Sequence, residues 1–175
     1  MNLKEKYARE WALSVKREQL TATLLQAYLP EYDVKLTGLG AGVDRAVEGR
    51  YSSAESAFDI TVYCHGIPIA YIDVTGVRDS SELKKRIGYC VGSWKVAKAR
   101  EFNVEDRVWF AFIRLSDARA YFVKLGKLVK VGVKARLVQG ENEYICLNRA
   151  RWLSITGFTR WLRSTASCTA DADPL

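Results

Sequence analysis

The sequence has few of the residues that build thiolate and imidazole metal sites. His65 is the single histidine among 175 residues, and the four cysteines are scattered, with no CxxC pair. A structural zinc site or a disulfide framework is therefore not expected. The cysteines are predicted to be small buried hydrophobes in a protein of a reducing, cytoplasmic (intracellular) setting. They are Cys64, Cys90, Cys146 and Cys168.

Long apolar runs are also missing. No stretch approaches the length that crosses a membrane, and residues 1–6 are too charged for a signal peptide. Acidic residues are outnumbered, with 20 Asp and Glu against 27 Lys and Arg, which gives a net charge of +7 and a pI near 9.3. This excess favours a polyanionic partner such as nucleic acid, although a basic surface can also serve solubility alone.

The hydrophobic content of 49% suits one soluble domain, predicted here over residues 1–163, with a disordered tail at 164–175. Hydrophobic periodicity predicts helices at 5–28, 82–102 and 156–162, the long one at 82 being capped by Ser80 or Ser81. Strands are predicted at 32–39, 57–64, 68–75, 107–115, 118–123 and 144–147, and a mobile loop at 41–56. This order indicates an α/β fold with a central mixed sheet flanked by helices.

Two carboxylates interrupt the apolar strands of the predicted hairpin. Asp59 and Asp73 lie at equal distances from Gly66. A three-residue turn centred on Gly66 would place them directly opposite each other on one face, with Thr75 on the same face. A two-residue turn at His65 and Gly66 would instead put them on opposite faces.

Facing carboxylates repel each other, and burial makes the repulsion costly. A bound cation removes this cost, and carboxylate oxygens are ligands that Mg²⁺ prefers. The Val74 carbonyl is a candidate for a third oxygen. The alternative is that both aspartates lie at exposed strand ends and limit aggregation.

At these residues the sequence resembles the PD-(D/E)XK nuclease superfamily. Ser-Ala-Phe-Asp-Ile-Thr-Val at 56–62 and Ile-Ala-Tyr-Ile-Asp-Val-Thr at 69–75 are similar to its two motif strands. Arg17, Glu18, Leu20 and Leu24 resemble the first helix of archaeal Holliday-junction resolvases, where a glutamate completes the metal site. The resemblance implies a restriction-endonuclease-like core, Mg²⁺ or Mn²⁺ at Asp59, Asp73, Val74 and Glu18, DNA as the substrate, and a homodimer.

One residue departs from the superfamily pattern. Thr75 stands where the acidic–apolar–Lys triplet has its lysine, and a threonine carries no charge. In some relatives the lysine moves to the following helix, so Lys85 or Lys84 is the expected replacement. Lys85 and Tyr89, one helical turn apart, resemble a Gln-x-x-x-Tyr pair of some relatives. Both lysines could equally be solvated helix-surface charges.

A basic segment follows the core strands. Its candidates for phosphate contacts are Lys127, Lys130, Lys134 and Arg136. The alternative is a basic surface without such contacts.

Three functions remain open from the sequence. The first is a Mg²⁺-dependent deoxyribonuclease acting on branched or nicked DNA, with Asp59, Asp73, Thr75, Lys85 and Glu18 as catalytic residues. The second is a DNA-binding protein that kept the nuclease fold and lost catalysis, as the missing lysine suggests. The third is a protein-interaction domain with no nucleic-acid role.

Overall fold

The computed structural model describes residues 3–39, 49–77, 88–136 and 143–169. The helices are α1 (Leu3–Tyr28), α2 (Ala54–Ala57), α3 (Ser93–Glu101), α4 (Leu125–Val131) and α5 (Ile155–Thr165), with a 3-10 turn at Arg149–Arg151. The strands are β1 (Asp33–Leu36), β2 (Ile60–Cys64), β3 (Ile67–Val77), β4 (Tyr89–Gly92), β5 (Val108–Arg114), β6 (Arg119–Lys124), β7 (Val133–Arg136), β8 (Glu143–Leu147) and β9 (Leu153–Ser154).

The larger sheet has the strand order β1-β2-β3-β5-β6-β9. The β3–β5 pair is parallel, and the other neighbours are antiparallel. The predicted α/β fold with a mixed sheet flanked by helices is therefore confirmed.

Strand β5 explains why this sheet is covered on both faces. Its apolar residues alternate between two clusters, with Val108 and Phe110 in one and Trp109 and Ala111 in the other. The first cluster also contains side chains of α3, α4 and the smaller sheet. The second contains side chains of α1 and α5. A nearly continuous apolar strand is what a two-sided core requires.

The smaller sheet, β4-β8-β7, lies where a helix was predicted. The predicted helix over 82–102 is wrong at residues 89–92, which form β4 and pair with β8. Gly88, with φ of 89°, precedes this strand, and Gly92 caps the shorter helix α3. Residues 78–87, including Ser80, Ser81, Lys84 and Lys85, lie outside the described residues.

The cysteines form two disulfides, which corrects the prediction that they are free and buried. Cys64 bonds to Cys168, and Cys90 bonds to Cys146. The pairing was not predicted because the bonded cysteines are far apart in sequence. In the fold, the antiparallel β4–β8 register places Cys90 directly opposite Cys146. In the described part of the chain, every cysteine is paired.

The C-terminal segment is packed for longer than predicted. Helix α5 continues to Thr165, the Tyr32 hydroxyl donates to the Ala166 carbonyl, and Cys168 is buried. The predicted disordered tail thus differs from the structure at residues 164–169, and residues 170–175 lie outside the described ranges. Within the described residues, no helix has the length and apolar character to cross a membrane.

Candidate active site

The hairpin of β2 and β3 has a two-residue turn. His65 and Gly66 have φ values of 48° and 76°, as the tight turns that suit strand twist require, and Cys64 pairs with Ile67. This is the shorter of the two turns that the sequence allows. With regular pairing throughout, it would put the two carboxylates on opposite faces of the hairpin.

A β-bulge changes that outcome. Between residues 62 and 63 the register shifts, because β3 has one extra residue there. Regular pairing then resumes and joins Ile60 to Ile72. Continued by one residue, this register sets Asp59 across from Asp73. The facing carboxylates predicted from the sequence are thus reached through a bulge and not through an odd-numbered turn.

Asp59 is half-buried, and few groups compensate its negative charge. Its Oδ2 accepts a hydrogen bond of 2.7 Å from the Val74 backbone N–H. Burial, together with the neighbouring charges of Asp73 and Glu18, raises the pKa of Asp59 to about 7, against the lowering effects of Lys95 and the Val74 hydrogen bond. Near neutral pH this carboxyl group is therefore partly protonated, and an added positive charge would stabilise its ionised form.

Asp73 has the opposite environment. It is 2% exposed, and its two oxygens accept hydrogen bonds from Lys95 and from Lys98, the latter at 2.8 Å. Burial raises the pKa of Asp73, but the two ammonium groups outweigh it and hold that pKa below its usual range. Burial likewise lowers the pKa of Lys95, but Asp73 and Asp59 outweigh it and raise that pKa. Both partners are therefore charged at neutral pH.

Helix α3 places both lysines by its spacing. Lys95 and Lys98 are three residues apart and so share one face, whereas Val96 and Ala99 are buried in the core. The Lys98 ammonium also lies 4.8 Å from the centre of the Phe58 ring. Sequence reasoning missed both lysines, although the Lys-x-x-Lys spacing was visible. Because the helix was predicted to begin at residue 82, Lys84 and Lys85 were chosen as the candidate lysines instead.

The carboxylate pair opens into a cleft of about 510 Å³. The cleft brings together four of the predicted residues, Glu18, Asp59, Asp73 and Val74, and adds the two α3 lysines. Thr75 is half-buried and is not among the residues lining the cleft.

The predicted phosphate-binding residues lie elsewhere. Lys127 and Lys130 are exposed on α4, and Lys134 and Arg136 are exposed on β7. None of the four lines the carboxylate cleft. The Lys134 ammonium is 3.5 Å from a carboxylate oxygen of Glu143.

The donor atoms of the cleft suit a hard divalent cation. The acidic residues Glu18, Asp59, Asp73 and Glu101 line it, and Mg²⁺ is commonly held by one or two carboxylates with water completing its shell. The ligand atoms of Glu18, Asp59 and Asp73 do not all lie within 4.8 Å of one another. Among described residues, the trio that does is Cys64, His65 and Cys168, whose sulfurs are joined in a disulfide.

The fold and the site together are those of a nuclease of the PD-(D/E)XK-like type, with its restriction-endonuclease-like core. The features in question are the parallel β3–β5 pair, the hairpin with facing aspartates and the lysines beside them. The sequence model of one family, described as Viral/Archaeal nuclease, matches residues 7–166, and the chain belongs to that family.

A solved structure has the same fold. The structure of a nuclease from a fusselovirus superposes with a TM-score of 0.57 and 20% sequence identity, covering 87% of this chain and 89% of that one. Among curated proteins, no significant sequence match is found.

Proposed function

We propose that this nuclease is a divalent-metal-dependent deoxyribonuclease that hydrolyses phosphodiester bonds in DNA, including branched or nicked DNA. The observation that carries the proposal is the facing Asp59–Asp73 pair in an open cleft, with the ammonium groups of Lys95 and Lys98 against Asp73.

Asp59 and Asp73 would hold Mg²⁺ or Mn²⁺, with the Val74 carbonyl and Glu18 as further oxygen donors. A bound cation would supply an activated water and offset charge on the phosphate. The raised pKa of Asp59 supports this assignment, because a cation stabilises the ionised form of a half-buried carboxyl group that lacks enough compensating charge.

Lys95 would take the role of the superfamily lysine, whose position in this sequence is occupied by Thr75. It contacts Asp73, and the charges of both aspartates raise its pKa, so its ammonium is charged and held beside the cation site. From there it can stabilise negative charge that develops on the phosphate. Lys85, the replacement expected from the sequence, lies outside the described residues, and Lys95 is the better-supported assignment.

The inactive DNA-binding alternative is therefore less favoured. It was motivated by the missing lysine, and Lys95 provides a lysine beside the aspartates from a different element. The homodimer that the superfamily resemblance implies stays a prediction, which sedimentation of the purified chain would test.

The metal site is tested with Asp59→Asn. Asparagine keeps the shape and can still accept the Val74 N–H, but it removes the charge. We expect the variant to lose the calorimetric heat of Mg²⁺ binding and to cleave a labelled DNA junction on the order of a hundredfold or more slowly. Asp33→Asn, on an exposed aspartate of β1, is the matched control and should behave as wild type. Equal cleavage by Asp59→Asn and wild type would reject the assignment.

The same assay separates the lysines. Lys95→Met keeps the apolar stem and removes the ammonium, and we expect single-turnover cleavage at saturating Mg²⁺ to fall by about 10²–10³ with the fold intact. Lys98→Met should cost less, because Lys95 interacts with both aspartates, whereas Lys98 contacts Asp73 and the rings of Tyr51 and Phe58. Wild-type rates for Lys95→Met would remove Lys95 from the mechanism.

A further inference from the structure

Trp94 is placed unusually for so large an apolar side chain. It is 48% exposed, and it is the most exposed of the five tryptophans. It directly precedes Lys95 and lines the carboxylate cleft. Burial of an indole is strongly favourable, so this exposure leaves an apolar ring face unused beside the candidate active site.

The exposed ring is held in place. It lies against the backbone at Gly92, where an added Cβ would be 2.3 Å from the ring. The Tyr144 ring packs against it in a T-shaped arrangement, with ring centres 5.4 Å apart and planes at 78°. A ring fixed by backbone and by a second aromatic loses little freedom when a ligand covers its open face.

A second exposed aromatic ring borders the same cleft. Tyr51 is 46% exposed, and the Lys98 ammonium lies 5.3 Å from its ring centre. That ammonium also pairs with Asp73 at 2.8 Å, which links the Tyr51 ring to the carboxylates. The cleft thus combines two open aromatic rings with cations beside the carboxylates, the combination that single-stranded nucleic-acid sites use.

We propose, on the basis of the nuclease function above, that Trp94 and Tyr51 stack on an unpaired nucleobase next to the phosphate that is cleaved. Base faces are covered by neighbouring bases in an intact duplex and are available in a single strand or at a branch point. The preferred substrate is therefore a strand that is unpaired at the cleavage point. Trp94 and Tyr51 are specificity-determining residues, separate from the carboxylates that carry out the chemistry.

Binding without cleavage tests this assignment. A fluorescent single-stranded oligodeoxythymidine and a blunt duplex of equal length are titrated with the full chain in EDTA. We expect wild type to bind the single strand more tightly, and Trp94→Ala to weaken that binding on the order of tenfold or more with little effect on the duplex. Trp94→Phe should retain most of the preference, because it keeps an aromatic face. Tyr51→Ala should act in the same direction as Trp94→Ala.

Tyr28→Ala is the matched control, since Tyr28 is 43% exposed and does not line the cleft. An abasic single strand removes the bases from the ligand. Wild type should bind it more weakly than the oligodeoxythymidine, and Trp94→Ala should not weaken that binding further. Equal binding of strand and duplex by wild type, or an unchanged preference in Trp94→Ala with its fold confirmed by circular dichroism, would overturn the proposal.

The two proposals fail separately. If Asp59→Asn still cleaves DNA but Trp94→Ala loses the single-strand preference, the catalytic assignment fails and the stacking site stands. If Asp59→Asn is inactive and Trp94→Ala keeps the preference, the stacking site fails alone.

Discussion

At the residue scale, the two facing aspartates differ in how their charges are balanced. Asp73 receives both α3 lysines, and its pKa is lowered, so it is ionised throughout the neutral range. Asp59 receives one backbone N–H, and burial raises its pKa to about 7. The pair therefore has one permanent charge and one charge that depends on pH.

This asymmetry predicts a pH-dependent response to Mg²⁺. The folded pKa of Asp59, about 7, lies above its ordinary value of 3.8, so metal-free protein loses stability as pH rises through this interval. Binding of Mg²⁺ requires the ionised form, so its affinity should fall by about tenfold per pH unit below about pH 7. The rise in melting temperature that Mg²⁺ produces should be larger at about pH 7.5 than at about pH 5.5.

Asp59→Asn supplies the control, because it removes the titrating group. Its melting temperature should respond equally little to Mg²⁺ at the two pH values. If wild type shows the same Mg²⁺ effect at both pH values, the group that titrates near 7 is not part of the metal site.

At the element scale, the sequence predicted the hairpin but not how its register arises. The positions of Asp59 and Asp73 about Gly66 indicated that they could face each other. The turn has two residues, and the facing arrangement depends on a bulge, which has no signal in apolar alternation. The arrangement was therefore anticipated, and its structural cause was not.

Helix α3 shows the opposite case. The apolar line through Leu83, Ile87, Val91 and Trp94 fits a helix, yet residues 89–92 form β4. Their partner is β8, more than 50 residues further along the chain, and local periodicity does not report such pairing. Because the helix begins after Gly92, the lysines that reach Asp73 are Lys95 and Lys98, which the sequence-based boundaries did not single out.

The Cys90–Cys146 disulfide joins β4 to β8 directly before α3, so it should support the position of Lys95. We expect Cys90→Ser with Cys146→Ser to lower the free energy of unfolding by about 2–4 kcal/mol and to slow cleavage. Urea unfolding and single-turnover cleavage measure the two effects.

The second disulfide is the comparison. Cys64 and Cys168 join the hairpin tip to the C-terminal segment and pack with the hydrophobic cluster that does not include α3. Cys64→Ser with Cys168→Ser should lower stability by a similar amount, about 2–4 kcal/mol, and leave the cleavage rate of the folded protein near wild type. Equal losses of cleavage in both double variants would contradict a specific role for the β4–β8 bond.

At the scale of the whole molecule, the lysines of α3 and the predicted phosphate contacts share one side of the larger sheet. Helix α3, which carries the lysines of the cleft, and helix α4 both pack into the same hydrophobic cluster, and the smaller sheet joins that cluster through β4 and β8. The predicted phosphate contacts lie on α4 and on β7, the edge strand of the smaller sheet. We therefore expect a nucleic-acid strand bound at the α3 lysines to continue over these basic residues.

This layout predicts a change in the salt dependence of DNA binding. Each phosphate contact releases condensed counterions, so the slope of log affinity against log salt reports their number, at about 0.7 per contact for single strands and about 0.9 for duplex. Replacing all four of Lys127, Lys130, Lys134 and Arg136 by Gln should reduce the slope for a single strand by up to about 3 if each contacts a phosphate. The titration is made in EDTA, so that the DNA is not cleaved during the measurement.

Lys35→Gln is the control for the loss of a surface charge. Lys35 lies on edge strand β1 beside Asp33, and its replacement should leave the slope unchanged. An unchanged slope in the fourfold variant would show that these side chains form a solvated basic surface, and the DNA path would then have to depend on Lys95 and Lys98 in the cleft.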